Sequence, residues 1–219
     1  MKSFVLLLMS TLVIDNLWGE AAKSEMNSNE SFIKNLNEMH FPDNVTLKEI
    51  VIGDKNAPNT LIVYASFTCI HCREFFSEVY PEFEKQYINT GKGKIYLRIY
   101  LDSHATLESA ALVRCFGGDS RDKISKLYRT IYTELEKWMQ AQDPKLFLKD
   151  IFKNLGYSND EIDGCLADDK ISAGLMKEHQ RAIREFQISL IPAFIINGKI
   201  HQGKLSFQEL DKKLKEYSK

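Results

Sequence analysis

Two thiols three positions apart with an imidazole between them, Cys69-Ile70-His71-Cys72, are the side chains here best equipped to do chemistry. Such a pair can hold zinc, close a structural disulfide or exchange disulfides with other thiols. The flanking residues discriminate. Before it, Leu-Ile-Val-Tyr-Ala-Ser-Phe (61–67) is a near-continuous apolar run, the pattern of a strand covered on both faces. After it, Phe75, Phe76, Val79, Phe83 and Tyr87 recur at spacings of about three and four, which predicts an amphipathic helix over 71–88 kinked at Pro81. Cys69 therefore falls where a strand hands over to a helix. There the unpaired N–H groups and the positive dipole end favour a thiolate.

That placement predicts unequal roles. Cys69 is expected to be the partly exposed nucleophile, with a pKa well below the free value of about 8.5. Cys72, one turn into the helix, is expected to be the buried resolving thiol. A histidine at a helix start is ordinarily a solvated side chain; between two cysteines, His71 is read as adding a donor or positive charge beside the sulfur. A stabilised thiolate favours the reduced pair, which makes the disulfide an oxidant.

Composition is compatible with this and excludes other classes. The chain has 219 residues, 29 Lys plus Arg, 30 Asp plus Glu, a net charge of −1 and 44% apolar residues. A near-neutral chain gives no electrostatic case for nucleic acid, and four cysteines are too few for a disulfide-stapled scaffold. Lys2 followed by an apolar run over 4–14, then Gly19, Ala21 and Ala22, reads as a signal peptide over 1–19. The alternatives are a buried N-terminal element or an uncleaved anchor, for which eleven apolar residues fall short of the roughly 20 a span needs.

The remaining elements frame the motif. Residues 20–44 are read as a flexible N-terminal segment, with Phe32, Leu36 and Met39 able to edge a short helix before Pro42. A first part, 45–102, runs strand (45–52), strand (61–67), helix (71–88), strand (94–101). Residues 103–187 show only helical patterns: four start at the capping signals Asp102 or Ser103, Ser120, Asp143-Pro144 and Ser158-x-x-Glu161, and Ile171, Leu175, His179, Ile183 and Phe186 mark a fifth. Strand signals return in 188–219: Ala-Phe-Ile-Ile over 193–196, an Asn197-Gly198 turn, a partner strand over 199–202, and a closing helix capped by Ser206.

Residues 60–82 resemble the active-site segment of the DsbA-like thiol:disulfide oxidoreductases of the thioredoxin superfamily, which carry a histidine just before the second cysteine. The turn Gly53-x-x-x-Ala57-Pro58, the helical insertion and Ile191-Pro192-Ala193-Phe194-Ile195-Ile196-Asn197-Gly198 are similar as well, so the resemblance spans about 45–217. It implies an α/β thioredoxin-like fold, a central mixed sheet flanked by helices, with an inserted all-helical subdomain. It implies a cis Pro192 facing the cysteines, with the Ile191 backbone offered to an extended substrate and Ile70 lining the site. It further implies reoxidation by a DsbB-like membrane quinone reductase, with no cofactor beyond the Cys69–Cys72 disulfide and no metal. Two positions depart from the family pattern: Ile70, where many members have proline, and Val63, where many carry a buried acid.

Cys115 and Cys165, left over on separate predicted helices of an exported chain, are expected to form a disulfide, as in some DsbA-like proteins; two buried free thiols are the alternative. The sequence thus points to an exported, periplasmic oxidoreductase that introduces disulfides into folding proteins through Cys69, His71 and Cys72. An isomerase or reductase of the same fold, a non-catalytic thioredoxin-like binding module, and a zinc module remain as alternatives.

Overall fold

The computed structural model describes residues 27–41 and 44–218. The expected signal peptide over 1–19 lies outside them. The chain divides into two compact units, Met1–Met39 and His40–Lys219. The first contributes helix α1, over 27–38. Residues 27–31 were expected to be flexible and are helical: no glycine or proline interrupts 27–38, so turns nucleated around Phe32 and Leu36 extend back into the polar residues.

The second unit is built on a five-stranded mixed sheet of order β1-β3-β2-β4-β5. β1 (Ile50–Gly53), β2 (Asn59–Ala65) and β3 (Gly93–Ile99) precede the insertion. β4 (Ala193–Ile196) and β5 (Lys199–Gln202) follow it. Only β2 and β3 run parallel, and the helical segment between them supplies the crossover such a pair needs. β2 sits at the centre with Leu61, Val63, Tyr64 and Ala65 buried, which explains its unbroken apolar run.

That segment starts as α2 (Ile70–Glu74), widens into a π-helical turn (Phe75–Val79), continues as α3 (Tyr80–Phe83) and widens again at Glu84–Ile88. The kink expected at Pro81 is absorbed this way. Proline offers no N–H to the ladder, and just ahead of it Tyr80 N–H reaches back five residues to the Phe75 carbonyl.

The strand expected over 45–52 is shorter, because the chain leaves the sheet before Ile50. Glu49 turns to the buried Arg98 guanidinium (2.7 Å), and Leu47 packs so tightly on Gly174 that a Cβ there would clash with its Cγ. β2 likewise stops at Ala65, since the next residue, Ser66, turns its hydroxyl to Asp102 at 2.8 Å. Asn197 (φ 48°) and Gly198 (φ 88°) both take left-handed backbone and make the tight β4–β5 hairpin.

α4 (His104–Gly117), α5 (Arg121–Met139), α6 (Pro144–Asn154), α7 (Asn159–Leu166) and α8 (Asp169–Arg184) form the insertion, and α9 (Phe207–Tyr217) closes the chain. Ser103, Ser120, Asp143 and Ser158 cap the first four through their side-chain oxygens, and Ser158 with Glu161 completes a capping box. α8 covers the sheet face of Tyr64, Ala193 and Ile195, contributing Ala182. On the opposite face Phe75 meets Phe194 at 5.0 Å, which seats the helical segment begun by α2 there.

Cys115 on α4 and Cys165 on α7 are disulfide-bonded across 50 residues of sequence, with Cα atoms 5.9 Å apart. Replacing both by alanine should destabilise the protein by about 2–4 kcal/mol, read as a lower midpoint in urea unfolding; an unchanged midpoint would show that the bridge restrains little.

Candidate active site

Strand β2 delivers its chain end into a turn, Ser66-Phe67-Thr68, that places Cys69 at the N-cap of α2. Cys69 has extended backbone (φ −91°, ψ 118°), and its Sγ accepts the Cys72 N–H at 3.3 Å. A cysteine here stands where serine or aspartate would cap, so the sulfur takes up one of the helix's unpaired donors. Cys72 is fully buried, whereas Cys69 is partly accessible, and both are free thiols.

Their proton affinities are driven apart. The Cys72 thiol donating to the Cys69 sulfur is the largest influence on Cys69, and it favours the thiolate. The main-chain N–H groups of Cys72 and His71 act in the same direction, while burial and the Asp102 carboxylate act against it. Together they bring Cys69 down to about 7. Burial pushes the Cys72 thiol far above the ordinary range, and the neighbouring Cys69 sulfur pushes the same way. One sulfur is thus poised as nucleophile and leaving group, and the other holds its proton.

The two sequence-distant residues expected at the site are there. The Ile191–Pro192 peptide is cis, and the Cys69 thiol faces the Ile191 carbonyl at 4.0 Å. Ile70 is 41% exposed beside the nucleophile and Leu190 56% exposed on the loop before Ile191. His71 is partly corrected: its ring Nδ1 lies 3.1 Å from Glu74 Oε2, and Lys204 Nζ holds the same oxygen at 2.7 Å. The donor beside Cys69 is therefore the His71 main chain, and the ring lies against Glu74 at the surface.

Three contributors were not anticipated from sequence. Asp102 collects hydroxyls from Ser66, Thr68 and Thr106 at the turn before Cys69. Tyr132 of α5 donates to the Ser66 carbonyl at 3.1 Å and ties the insertion to the same turn. Gln202 of β5 accepts the N–H groups of Ser189 and Leu190, both at 2.9 Å, and donates to the Gln187 carbonyl, which clamps the loop that carries Ile191. Val63, fully buried opposite Phe194, leaves the floor of the site apolar. Among the described residues no group of three or more His, Cys, Asp or Glu side chains is arranged to hold a metal ion.

A family model described as thioredoxin matches residues 45–216. The chain belongs to the thioredoxin family. Within it, the likeness is to DsbA proteins. The crystal structure of Wolbachia pipientis alpha-DsbA1 superposes with a TM-score of 0.69 at 25% identity, covering 83% of this chain and 96% of that one. A Rickettsia conorii protein named a protein-disulfide oxidoreductase is 30% identical over 172 residues, 77% of this chain and 61% of its own length. The thiol:disulfide interchange protein DsbA of Pectobacterium carotovorum is 26% identical over 78% of this chain and 83% of its own length. The chain spans about three fifths of the Rickettsia relative's length (61%). These relatives agree with the observed fold, a mixed five-stranded sheet with a helical insertion between β3 and β4.

In the reduced protein, alkylation should label Cys69 with a midpoint near pH 7 and leave Cys72 unlabelled. Because the folded-state pKa of Cys69 is depressed, the stability its thiolate adds is full above the unfolded pKa near 9 and is lost as pH falls through about 7. Reduced protein should therefore gain urea resistance between pH 7 and 9 relative to Cys69→Ser; parallel pH profiles would refute the assignment. Gln202→Leu removes three neutral bonds to the loop over 187–190, each worth about 0.5–1.5 kcal/mol. It should speed amide hydrogen exchange at Ser189 and Leu190 by at least tenfold without shifting the Cys69 midpoint.

Proposed function

We propose that the chain is an exported thiol:disulfide oxidoreductase that introduces disulfides into folding proteins. The observation that carries the exchange chemistry is the asymmetry of the pair, a partly accessible Cys69 brought down to about 7 beside a fully buried Cys72 pushed the other way, and the likeness to DsbA proteins supports its direction. In the oxidised protein a substrate thiolate attacks Cys69; the Cys69–Cys72 bond breaks and a mixed disulfide forms on Cys69. The Cys72 sulfur leaves and takes up a proton, the form its burial favours. A second substrate thiolate then attacks the substrate sulfur of the mixed disulfide. The substrate departs oxidised, Cys69 leaves as a thiolate, and two electrons stay on the protein.

The Ile191 backbone, facing Cys69, is suited to pair with an extended substrate segment, with Ile70 and Leu190 as its apolar border. Reoxidation is assigned to a DsbB-like membrane quinone reductase, and no nucleotide or metal is required. Export to a periplasmic or equivalent space is supported by the apolar run over 4–14 and by the Cys115–Cys165 bridge, which an oxidising compartment preserves.

A reductase or isomerase is the second reading, favoured by one observation. A nucleophile near 7 matches the first cysteine of thioredoxin, at roughly 7, more closely than that of DsbA, at roughly 3.5. Equilibration of the full chain with glutathione decides between them. A potential near roughly −120 mV supports the oxidase, and one near thioredoxin's roughly −270 mV would refute it in favour of the second reading.

A further inference from the structure

Asp102 sits in the turn between β3 and α4, far in sequence from the cysteines, yet its carboxylate is built into the turn that presents Cys69. Oδ1 accepts from Ser66 Oγ at 2.8 Å, Thr68 Oγ1 at 2.9 Å and Thr106 Oγ1 at 2.6 Å, and Ser103 Oγ lies at 3.3 Å. Oδ2 takes a further contact from Thr68 at 3.1 Å. Ser66 and Thr106 are fully buried. Thr68 precedes Cys69 directly, and the Ser66 carbonyl accepts the Cys69 N–H at 3.4 Å. An ionised carboxylate only accepts, and a cage in which three hydroxyls converge on one oxygen is the donor set such a group wants.

We propose that Asp102 is a positioning residue for the redox pair: its caged carboxylate, fixed against the Cys69 turn, opposes thiolate formation and thereby limits how oxidising the Cys69–Cys72 disulfide is. The negative charge acts on both sulfurs in the direction that disfavours their ionisation. It acts in the same sense on the buried Tyr132 hydroxyl of α5 and on Tyr100, and it faces the buried His179 of α8. On α2 the acid Glu74 is paired with Lys204 and lies against the His71 ring, and Arg73 is paired with Glu136 of α5. The Lys204–Glu74 and Arg73–Glu136 pairs offset their charges at the surface, whereas among the described residues no cation is ion-paired with Asp102. The inference deepens the proposed function and rests on its choice of Cys69 as the reacting sulfur.

The cage also makes the test clean. Ser66, Thr68 and Thr106 hydroxyls lie 2.8–3.0 Å from one another, so they can satisfy each other when the carboxylate is removed. The full chain is compared as wild type, Asp102→Asn, Asp102→Ala and Asp102→Glu. Cys69 alkylation is followed against pH, and the pair is equilibrated with glutathione. In that equilibrium two glutathione thiols reduce the disulfide to the dithiol and leave as glutathione disulfide, so two electrons and two protons are exchanged.

Both neutral variants are expected to lower the Cys69 midpoint by about half to one pH unit, a roughly 3- to 10-fold gain in thiolate below the midpoint. The glutathione equilibrium should move by a similar factor toward the dithiol, and Asp102→Glu should stay near wild type. Folded neutral variants with an unmoved midpoint and equilibrium would overturn the inference. So would loss of the near-ultraviolet circular dichroism signal in both, which would make Asp102 a structural pivot. A wild type whose Cys69 reacts with neither probe would instead overturn the proposed function itself.

Discussion

Everything about the site depends on one sulfur replacing an oxygen at a helix N-cap. Cys69 Sγ takes the Cys72 N–H, and the Cys72 thiol beneath it adds a second donor. A hydroxyl or carboxylate there would only anchor the helix. A thiol with those donors becomes ionisable near neutrality, because the same interactions that cap the helix also stabilise negative charge. Burial of Cys72 supplies the other half, since a thiol sealed from water resists ionisation and keeps its proton. The chemistry is an asymmetry of environment imposed on two identical groups.

That asymmetry requires the neighbourhood to be rigid on three sides. From below, Phe75 and Phe194 hold the redox helix to the sheet. From the insertion, Tyr132 reaches the Ser66 carbonyl, and Phe67 lies between the rings of Tyr128 (4.7 Å) and Tyr132 (5.4 Å). From the C-terminal segment, Gln202 fixes the loop that brings Ile191 to the sulfur. The helical insertion is therefore not an appendage. Its inner face forms one wall of the active-site turn, and Glu178 of α8, which accepts the Ile99 N–H and pairs with Arg114 of α4, locks that wall to β3. An uncompensated carboxylate so deeply buried would be costly, which is why both its oxygens are engaged.

Asp102 shows how one network can serve stability and reactivity together. Its hydroxyl partners draw β2, the active-site turn and α4 to a single point, and the charge they hold bears on both sulfurs. Placing the acid in the β3–α4 turn leaves the sheet surface under the redox helix free for Val63 and the apolar packing around it.

Local pattern was enough for much of this. The strand–Cys-x-x-Cys–helix order, the succession of capped helices and the Asn197-Gly198 hairpin are written in residues close together in the chain, where hydrophobic period, caps and turn preferences act on neighbours. The unequal roles of Cys69 and Cys72 were legible for the same reason, being set by position at one helix start. Tertiary structure decided the rest. Nothing near Asp102 in sequence says that Ser66 and Thr68 will donate to it, nothing near Gln202 says that it will clamp residues 187–190, and nothing near Glu74 says that Lys204 will arrive from 130 residues away. The early end of strand β2 and the late start of β1 have the same origin, in contacts to Asp102, Arg98 and Gly174. A charge or hydrogen bond acts through space, so its partners are fixed only when the sheet and the insertion have brought distant segments together.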